Sequence, residues 1–473
     1  MSRAIEPAVL PLAEGFAAAG RPEWLTLVEK TLKGAPLESL VRRTLEGIPI
    51  QPLYEQAKAA PGAARDLAGW DIRTLVRNPE PAAANAEVLQ DLAGGANSVL
   101  VRIGQGGVAA GSAEALARVL EGALLDVATV ALDAGFLGAK AADWLGAAAK
   151  GAPAAPLALH MDPLSAFAEA GASPGPIEAH LIACAGVGAR LAEPYPKASL
   201  FLASGRVAHE SGAGEALELA VALAAALAYA KALVRAGLGV QEAFERIVLG
   251  LSLDADYFIT IAKLRAARVA WARLAGACGA DAPASIEARS SGRMLARADA
   301  WTNMIRLTAA SFAGAVGGAD AVALGTFTDA LGLPTAFARR QARNAQLVLQ
   351  EEANLGRVVD PAAGCGYLES LTDDLARAAW AQFQAIEAAG GIVRALEGGL
   401  VARETEAART ELAARIGRRE VKILGVTDFA PQDERPPAVA SAPAAQADGP
   451  AAALPGPASR CPPLAPIRLE ELA

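Results

Sequence analysis

Histidine and cysteine are scarce in this chain: its 473 residues include three of the first and four of the second. Cys184, Cys278, Cys365 and Cys461 lie far apart and form no Cys-x-x-Cys pair. That argues against a zinc site or a disulfide framework and for ordinary thiols in a reducing compartment. No apolar run reaches the roughly 18 residues that suggest a membrane span. The nearest approach, residues 219–230, is bounded by Glu218 and Lys231 and is read as a buried helix. Positive charge is in deficit, and a net charge of −8 disfavours general nucleic-acid binding. Glu6 and Pro7 interrupt any signal-peptide core, so a soluble, cytoplasmic protein is expected. Aromatic residues supply only 5% of the chain, whereas hydrophobic residues reach 53%, much of it alanine, which favours helices and close packing.

From Trp70 to Glu434, short β-rich runs alternate with longer Ala/Leu-rich helical runs. Strands are predicted at 98–103, 127–132, 156–161, 198–203 and 321–324. Helices are predicted at 112–122, 139–149, 176–191, 213–236, 241–276, 299–316 and 335–354. Asp299 suits a helix N-cap, and Gly317-Gly318 suits the stop. So many alternations predict a parallel α/β fold closed as a (β/α)8 TIM-type barrel, with a doubly wound sheet as the rival. Three regions follow: an N-terminal arm and lead-in segment over 1–60, the barrel over 61–430, and a Pro/Ala-rich tail over 431–473. Phe16, Trp24, Leu25, Val28 and Leu32 recur at helical spacing in the arm. Residues 431–460 have too few large apolar side chains to offset ordering entropy, so disorder is expected there. Residues 464–472 read as a solvated end or a short docking tail.

Two local patterns invite binding readings. Gly104-Gln105-Gly106-Gly107-Val108-Ala109 matches G-x-G-x-x-A after a strand, a weak dinucleotide signal that any tight strand-to-helix turn also produces. Arg339-Arg340-Gln341-Ala342-Arg343 suits phosphate, but a solvated or interface helix face with Glu351 and Glu352 nearby is the favoured reading.

The densest motifs are Trp301-Thr302-Asn303-Met304-Ile305-Arg306, Gly317-Gly318, Arg343-Asn344-Ala345-Gln346 and Asp360-Pro361-Ala362-Ala363-Gly364. In this order they resemble the catalytic-barrel region of the cobalamin-dependent acyl-CoA mutases, above all methylmalonyl-CoA mutase. The resemblance runs from about 16 to 429, with 43–54 similar to the family's opening strand and turn and 420–427 to its closing strand. It implies a barrel that holds a CoA thioester through its bore, and a radical rearrangement whose hard chemistry belongs to adenosylcobalamin. It also implies an arm that wraps a partner subunit, which makes Phe16, Trp24 and Tyr54 interface candidates.

The departures from the family decide the role. The family's substrate-contacting Tyr and Arg-Gln-Tyr set are absent from Gly69–Asn78. Over Ser204–Ala213 the active-site histidine of the family falls on Val207. His209 stands two residues along, displaced by nearly 7 Å on a strand at roughly 3.3 Å per residue. Arg289 replaces the family's substrate-contacting glutamine. The cobalt-ligating Asp-x-His-x-x-Gly pattern is not met: His160 and His180 lack the glycine, and His209 has Gly212 but Val207 in place of the aspartate.

The resemblance therefore implies the small, non-catalytic subunit of a heterodimeric methylmalonyl-CoA mutase. It would stabilise a large catalytic subunit that alone binds adenosylcobalamin and acyl-CoA. No cobalamin domain, cofactor, metal or catalytic residue is expected on this chain, with His209 and Arg289 as weak candidates. A GTPase chaperone is a further partner reached through the complex. Two alternatives stay open: the substrate-binding subunit of a split acyl-CoA mutase, and a degenerate barrel acting as an assembly or regulatory partner.

Overall fold

The computed structural model describes residues 15, 19–65, 69–441 and 452–473, so Phe16 lies outside the described residues. Eight parallel strands close into a barrel in chain order. They are β1 (Asp71–Val76), β2 (Ser98–Arg102), β3 (Thr129–Asp133), β4 (Leu157–Met161), β5 (Ser199–Ser204), β6 (Ile247–Leu253), β7 (Ser285–Ser290) and β8 (Ala321–Ala323). β8 pairs with both β7 and β1. The (β/α)8 expectation holds, and the doubly wound rival falls, because such a sheet would leave two open edges.

The helices used below are α1 (Arg21–Leu32), α2 (Pro81–Ala93), α3 (Arg206–Glu210), α4 (Glu215–Arg235), α5 (Tyr257–Ala277), α6 (Asn303–Val316), α7 (Ala336–Leu347), α8 (Gly366–Ala388) and α9 (Leu400–Gly417). α2 shows how locally they are encoded. Pro81 opens it, and the Glu80 carboxylate accepts from the free amides of Ala82 and Ala83. α4 is long and apolar enough to cross a membrane by composition, yet 72% of its most apolar window is buried, against β5, β6 and α8. A helix apolar on all sides is one enclosed on all sides.

Four expectations need correction. The predicted helix 241–276 contains β6, whose seven residues are all buried; a strand covered on both faces reads as a continuous apolar run, which periodicity cannot separate from a helix. Residues 420–427 do not close the barrel. They form a tight turn in which Gly425 N–H donates to Asp428 O, and β8 does the closing. The lead-in 43–54 supplies only a two-residue antiparallel ladder, Arg42–Arg43 with Pro49–Ile50. Asp299 lies in the left-handed region (φ 48°), and its carboxylate accepts from the Thr302 hydroxyl at 2.5 Å; α6 itself starts at Asn303.

The described parts of the tail follow the barrel closely. Leu454, Cys461 and Leu464 donate backbone hydrogen bonds to Pro174, Gly171 and Ala168, at 2.8–2.9 Å. Further on, Ile467 and Leu469 donate to Glu210 and Arg293. Composition suggests no order for 452–460. But Leu454 N–H donates to Pro174 O and Ser459 N–H to Gly175 O, so this extended strap is fixed to carbonyls on the barrel rim. Gly175 (φ 110°) allows the approach, since a Cβ there would lie 2.4 Å from Leu454 O.

Candidate functional site

The strands carry charge into the bore. Alternation places Arg73 on β1, and Glu287 and Arg289 on β7, on the inward face, and β8 between them contributes only alanines, Ala321 and Ala323. Arg73 pairs with Glu287 and donates from Nε to Ser98 Oγ at 2.7 Å. Arg289 donates from Nε to Glu287 Oε1 at 2.5 Å and from Nη1 to Asp133 Oδ2 at 3.0 Å. Arg102 holds the same Asp133 carboxylate at 3.1 Å. Glu287 is 1% exposed at the centre of this layer, which forms an ionic partition across the waist. Despite burial, the arginines beside them hold the carboxyls of Glu287 and Asp133 well below the usual range.

His160 lies on the same layer, with Nδ1 3.4 Å from Glu287 Oε2. Burial pushes the imidazole down to about 3, and Glu287 cannot offset the added repulsion of Arg73 and Arg289, so the ring is neutral. Its backbone sits at φ 44°, where the β4–β5 register slips, a conformation that costs a non-glycine residue about 1–3 kcal/mol. The partition leaves two chambers. One of about 370 Å³ opens at the N-terminal ends of the strands, with Arg73 and Glu287 in its wall. The other, the upper chamber of about 440 Å³, lies at the C-terminal ends and is lined by Asp133, Asp162, Arg206, Val207 and Arg289, with Leu464, Pro466 and Arg468 of the tail. Burial pushes the Asp162 carboxyl up to about 6, although Tyr229 donates to it at 2.5 Å.

A second ionic cluster lies outside the bore, where α3 and α4 meet β6. His209 is fully buried. Its Nδ1 lies 3.2 Å from Glu218 and 3.5 Å from Glu215, and its Nε2 lies 3.1 Å from Ser291 Oγ and 3.4 Å from Asp254. Burial and Arg293 push the imidazole down, but Glu218 and Glu215 outweigh them and raise it to about 10, so the ring is a cation. Lys263 of α5 bonds both glutamates, at 2.6 Å to Glu218. His209, Glu215 and Glu218 have the mutual spacing of a metal-ligand set. However, the Lys263 ammonium already supplies the cation that such carboxylates would seek.

The sequence candidates separate in this geometry. Residues 206–210 form the short helix α3, not a strand, so residues two apart face in nearly opposite directions. Val207 faces the upper chamber, while His209 turns into the wall. Arg289 does reach the bore, tied to Glu287 and Asp133. Trp24 is half-buried on α1, a helix with no buried residue. Tyr54 packs its ring 5.2 Å from that of Tyr367 and accepts from Gln51 N–H.

Several motifs are structural. Asn303 is fully buried and joins Ala296 to Phe327 O, and Arg306 reaches from Asn303 Oδ1 to Leu424 O. Trp301 donates to Arg435 O at 2.8 Å. Arg265 is buried between Asp360 and Glu369. Arg339 and Arg343 are buried rather than solvated, and pair with Glu87 and Asp91 of α2, not with Glu351 or Glu352. Gly104–Val108 is a tight turn with Gly107 N–H donating to Gly104 O, and the next helix begins only at Ala113, so no helix N-terminus meets it.

The sequence reading missed Arg73, Asp133, Glu287, Glu215, Glu218 and Lys263. A signal existed: isolated charges inside otherwise apolar runs must be paired when buried.

None of the three histidines fits as a cobalt ligand. His160 and His209 are sealed in their ionic layers, and His180, also buried, lies with Nε2 3.3 Å from Pro174 O.

Comparison with known proteins places these features in a lineage. Residues 91–449 match the methylmalonyl-CoA mutase family. The chain is 39% identical to a methylmalonyl-CoA mutase small subunit of Streptomyces virginiae over 464 residues, covering 92% of this chain and 74% of the relative. It is 35% identical to the small subunit of Propionibacterium freudenreichii subsp. shermanii, covering 90% and 71%. A methylmalonyl-CoA mutase of Cereibacter sphaeroides is 31% identical, with 87% and 65% covered.

Proposed function

The chain belongs to the methylmalonyl-CoA mutase family, and from that premise we propose that it is the small, non-catalytic subunit of a heterodimeric mutase. The complex interconverts methylmalonyl-CoA and succinyl-CoA, and this chain stabilises the large subunit, which binds the acyl-CoA. The family is generally cobalamin-dependent, and in this reading the large subunit holds adenosylcobalamin. One observation carries the proposal: the bore is crossed by Arg73, Glu287, Arg289 and Asp133. A CoA thioester threaded along the axis would have to displace an ion network whose members, left unpaired, cost about 3–5 kcal/mol. Val207 supports it from the other side, because an aliphatic side chain at the chamber wall neither donates to a thioester carbonyl nor transfers a proton.

The exposed α1 supports an arm that reaches a partner, with Trp24, Tyr54 and Phe16 as contact residues. Docking of a GTPase chaperone through the complex, and a cytoplasmic setting, belong to the same proposal. The test is size-exclusion chromatography with light scattering on this chain alone and with a large subunit, following cobalamin absorbance and turnover across the peaks. A one-to-one complex is expected, with cobalamin and turnover dependent on the large subunit. Turnover by this chain without a large subunit would overturn the reading.

A further inference from the structure

We propose that a run of partly open aromatic rings on one face of the barrel is a docking surface for the large subunit, an inference that rests on the small-subunit reading and deepens it. Tyr54 of the lead-in lies 5.2 Å from Tyr367 of α8, and Tyr367 lies 5.3 Å from Phe258 of α5, ring centre to ring centre. Tyr257, beside Phe258, carries the run on to Phe312 of α6 at 5.6 Å. Aromatic residues make up 5% of the chain, yet three of its five tyrosines, Tyr54, Tyr257 and Tyr367, stand in this one run. None of these rings is fully buried. Phe258 is 48% exposed, and Leu53, next to Tyr54, is 38% exposed. Contiguous apolar surface left open marks a site of interaction, and aromatic rings are enriched where proteins meet.

The arm and the rings point to one occupant. α1 has 12 residues and offers a single stripe of half-buried apolar side chains, Trp24, Leu25, Val28 and Leu32. A stable interface takes about 20–30 residues a side, so the arm cannot hold a partner by itself and a surface on the barrel must join it. The chain runs from α1 through the lead-in to Tyr54, where the rings begin, so arm and rings are two parts of one N-terminal path. An occupant that covers both the arm and a face built from α5, α6 and α8 is a folded subunit rather than a peptide.

The test labels the exposed thiol of Cys365, which precedes α8 and its Tyr367, with an aromatic disulfide reagent. It is run on this chain alone and with the large subunit, with light scattering to give the mass of each species. Cys184 and Cys461, both buried, are the unreactive references. Labelling of Cys365 is expected in the free chain and is lost in the complex. Phe258→Ser alters an exposed side chain in the first turn of α5, so it keeps the melting temperature. It weakens the complex about thirtyfold, the loss of one interface hot spot. Leu124→Ser, 72% exposed beside β3 and across the barrel from β7, leaves the affinity unchanged. A complex in which Cys365 stays reactive, or in which Phe258→Ser binds as tightly as the parent chain, overturns the docking face and leaves the small-subunit reading standing. No complex at all overturns both. Cys365 protected in the chain alone also overturns the proposal: as a dimer, a second copy covers the rings; as a monomer, the chain's own first residues do.

Discussion

The bore of the barrel and its wall each bury a histidine among charged groups, and they hold it in opposite states. His160 in the bore is neutral, pushed down to about 3; His209 in the wall is a cation, raised to about 10. Burial is nearly the same, at 4% and 0% exposed. The balance of the neighbours decides. Glu287 and Asp133 face His160 against Arg73 and Arg289, whereas Glu218, Glu215 and Asp254 crowd His209 closely enough to outweigh Arg293 and Lys263. Neither ring titrates near neutrality, so neither is suited to general acid–base work, which needs a pKa close to the working pH.

Substitutions that attack one cluster at a time would break or sharpen this contrast. The largest effect is expected from Lys263→Met. It leaves Glu215 and Glu218 buried with too little positive charge, and should lower stability by about 3–5 kcal/mol in urea unfolding at pH 7. A loss below about 1 kcal/mol would mean that the wall cluster is not held by its ammonium. His209→Gln comes next, at about 2 kcal/mol for lost charge-assisted bonds. It carries a pH signature. Because the folded ring is raised from 6.5 to about 10, its stabilisation is whole below pH 6.5 and drains away as pH rises towards 10. The variant should therefore flatten the alkaline limb of the stability profile.

His160→Gln should cost less, about 1 kcal/mol at pH 7, because the ring is neutral and gives up only a neutral contact. Its signature is the mirror image. With the folded ring lowered from 6.5 to about 3, the unfolded chain binds the extra proton between those values, so stability falls as pH drops through that window. Replacing the ring should relieve that acid-side loss. The smallest effect is expected from Val207→His in the reconstituted complex, where turnover should be unchanged; a rise in turnover would place catalysis on this chain.

The barrel was legible because most of its strands are short apolar runs set off by long alanine-rich helices. β6 escaped because it is apolar throughout and merges with α5. β1 and β7 escaped because Asp71, Arg73, Glu287 and Arg289 interrupt their hydrophobic pattern. Those charges make sense only once eight strands bring them together across one bore. Val207 was legible as a departure from the family, but its orientation was not, since the strand assumed for it is a helix. The wall cluster joins α3, α4, α5 and β6, and no local pattern links residues from Lys263 back to His209. The tail followed the same logic: its order rests on carbonyls of the barrel rim, 280 residues away in the case of Leu454 and Pro174.

The partition at the waist also changes what kind of vessel the barrel is. A tube open along its length lets a molecule enter at one rim and leave at the other. Divided by Arg73, Glu287 and Arg289, it becomes two cups set base to base. Whatever enters one cup leaves by the same rim, and filling one displaces nothing from the other. The two cups share a floor, and His160 lines both of them.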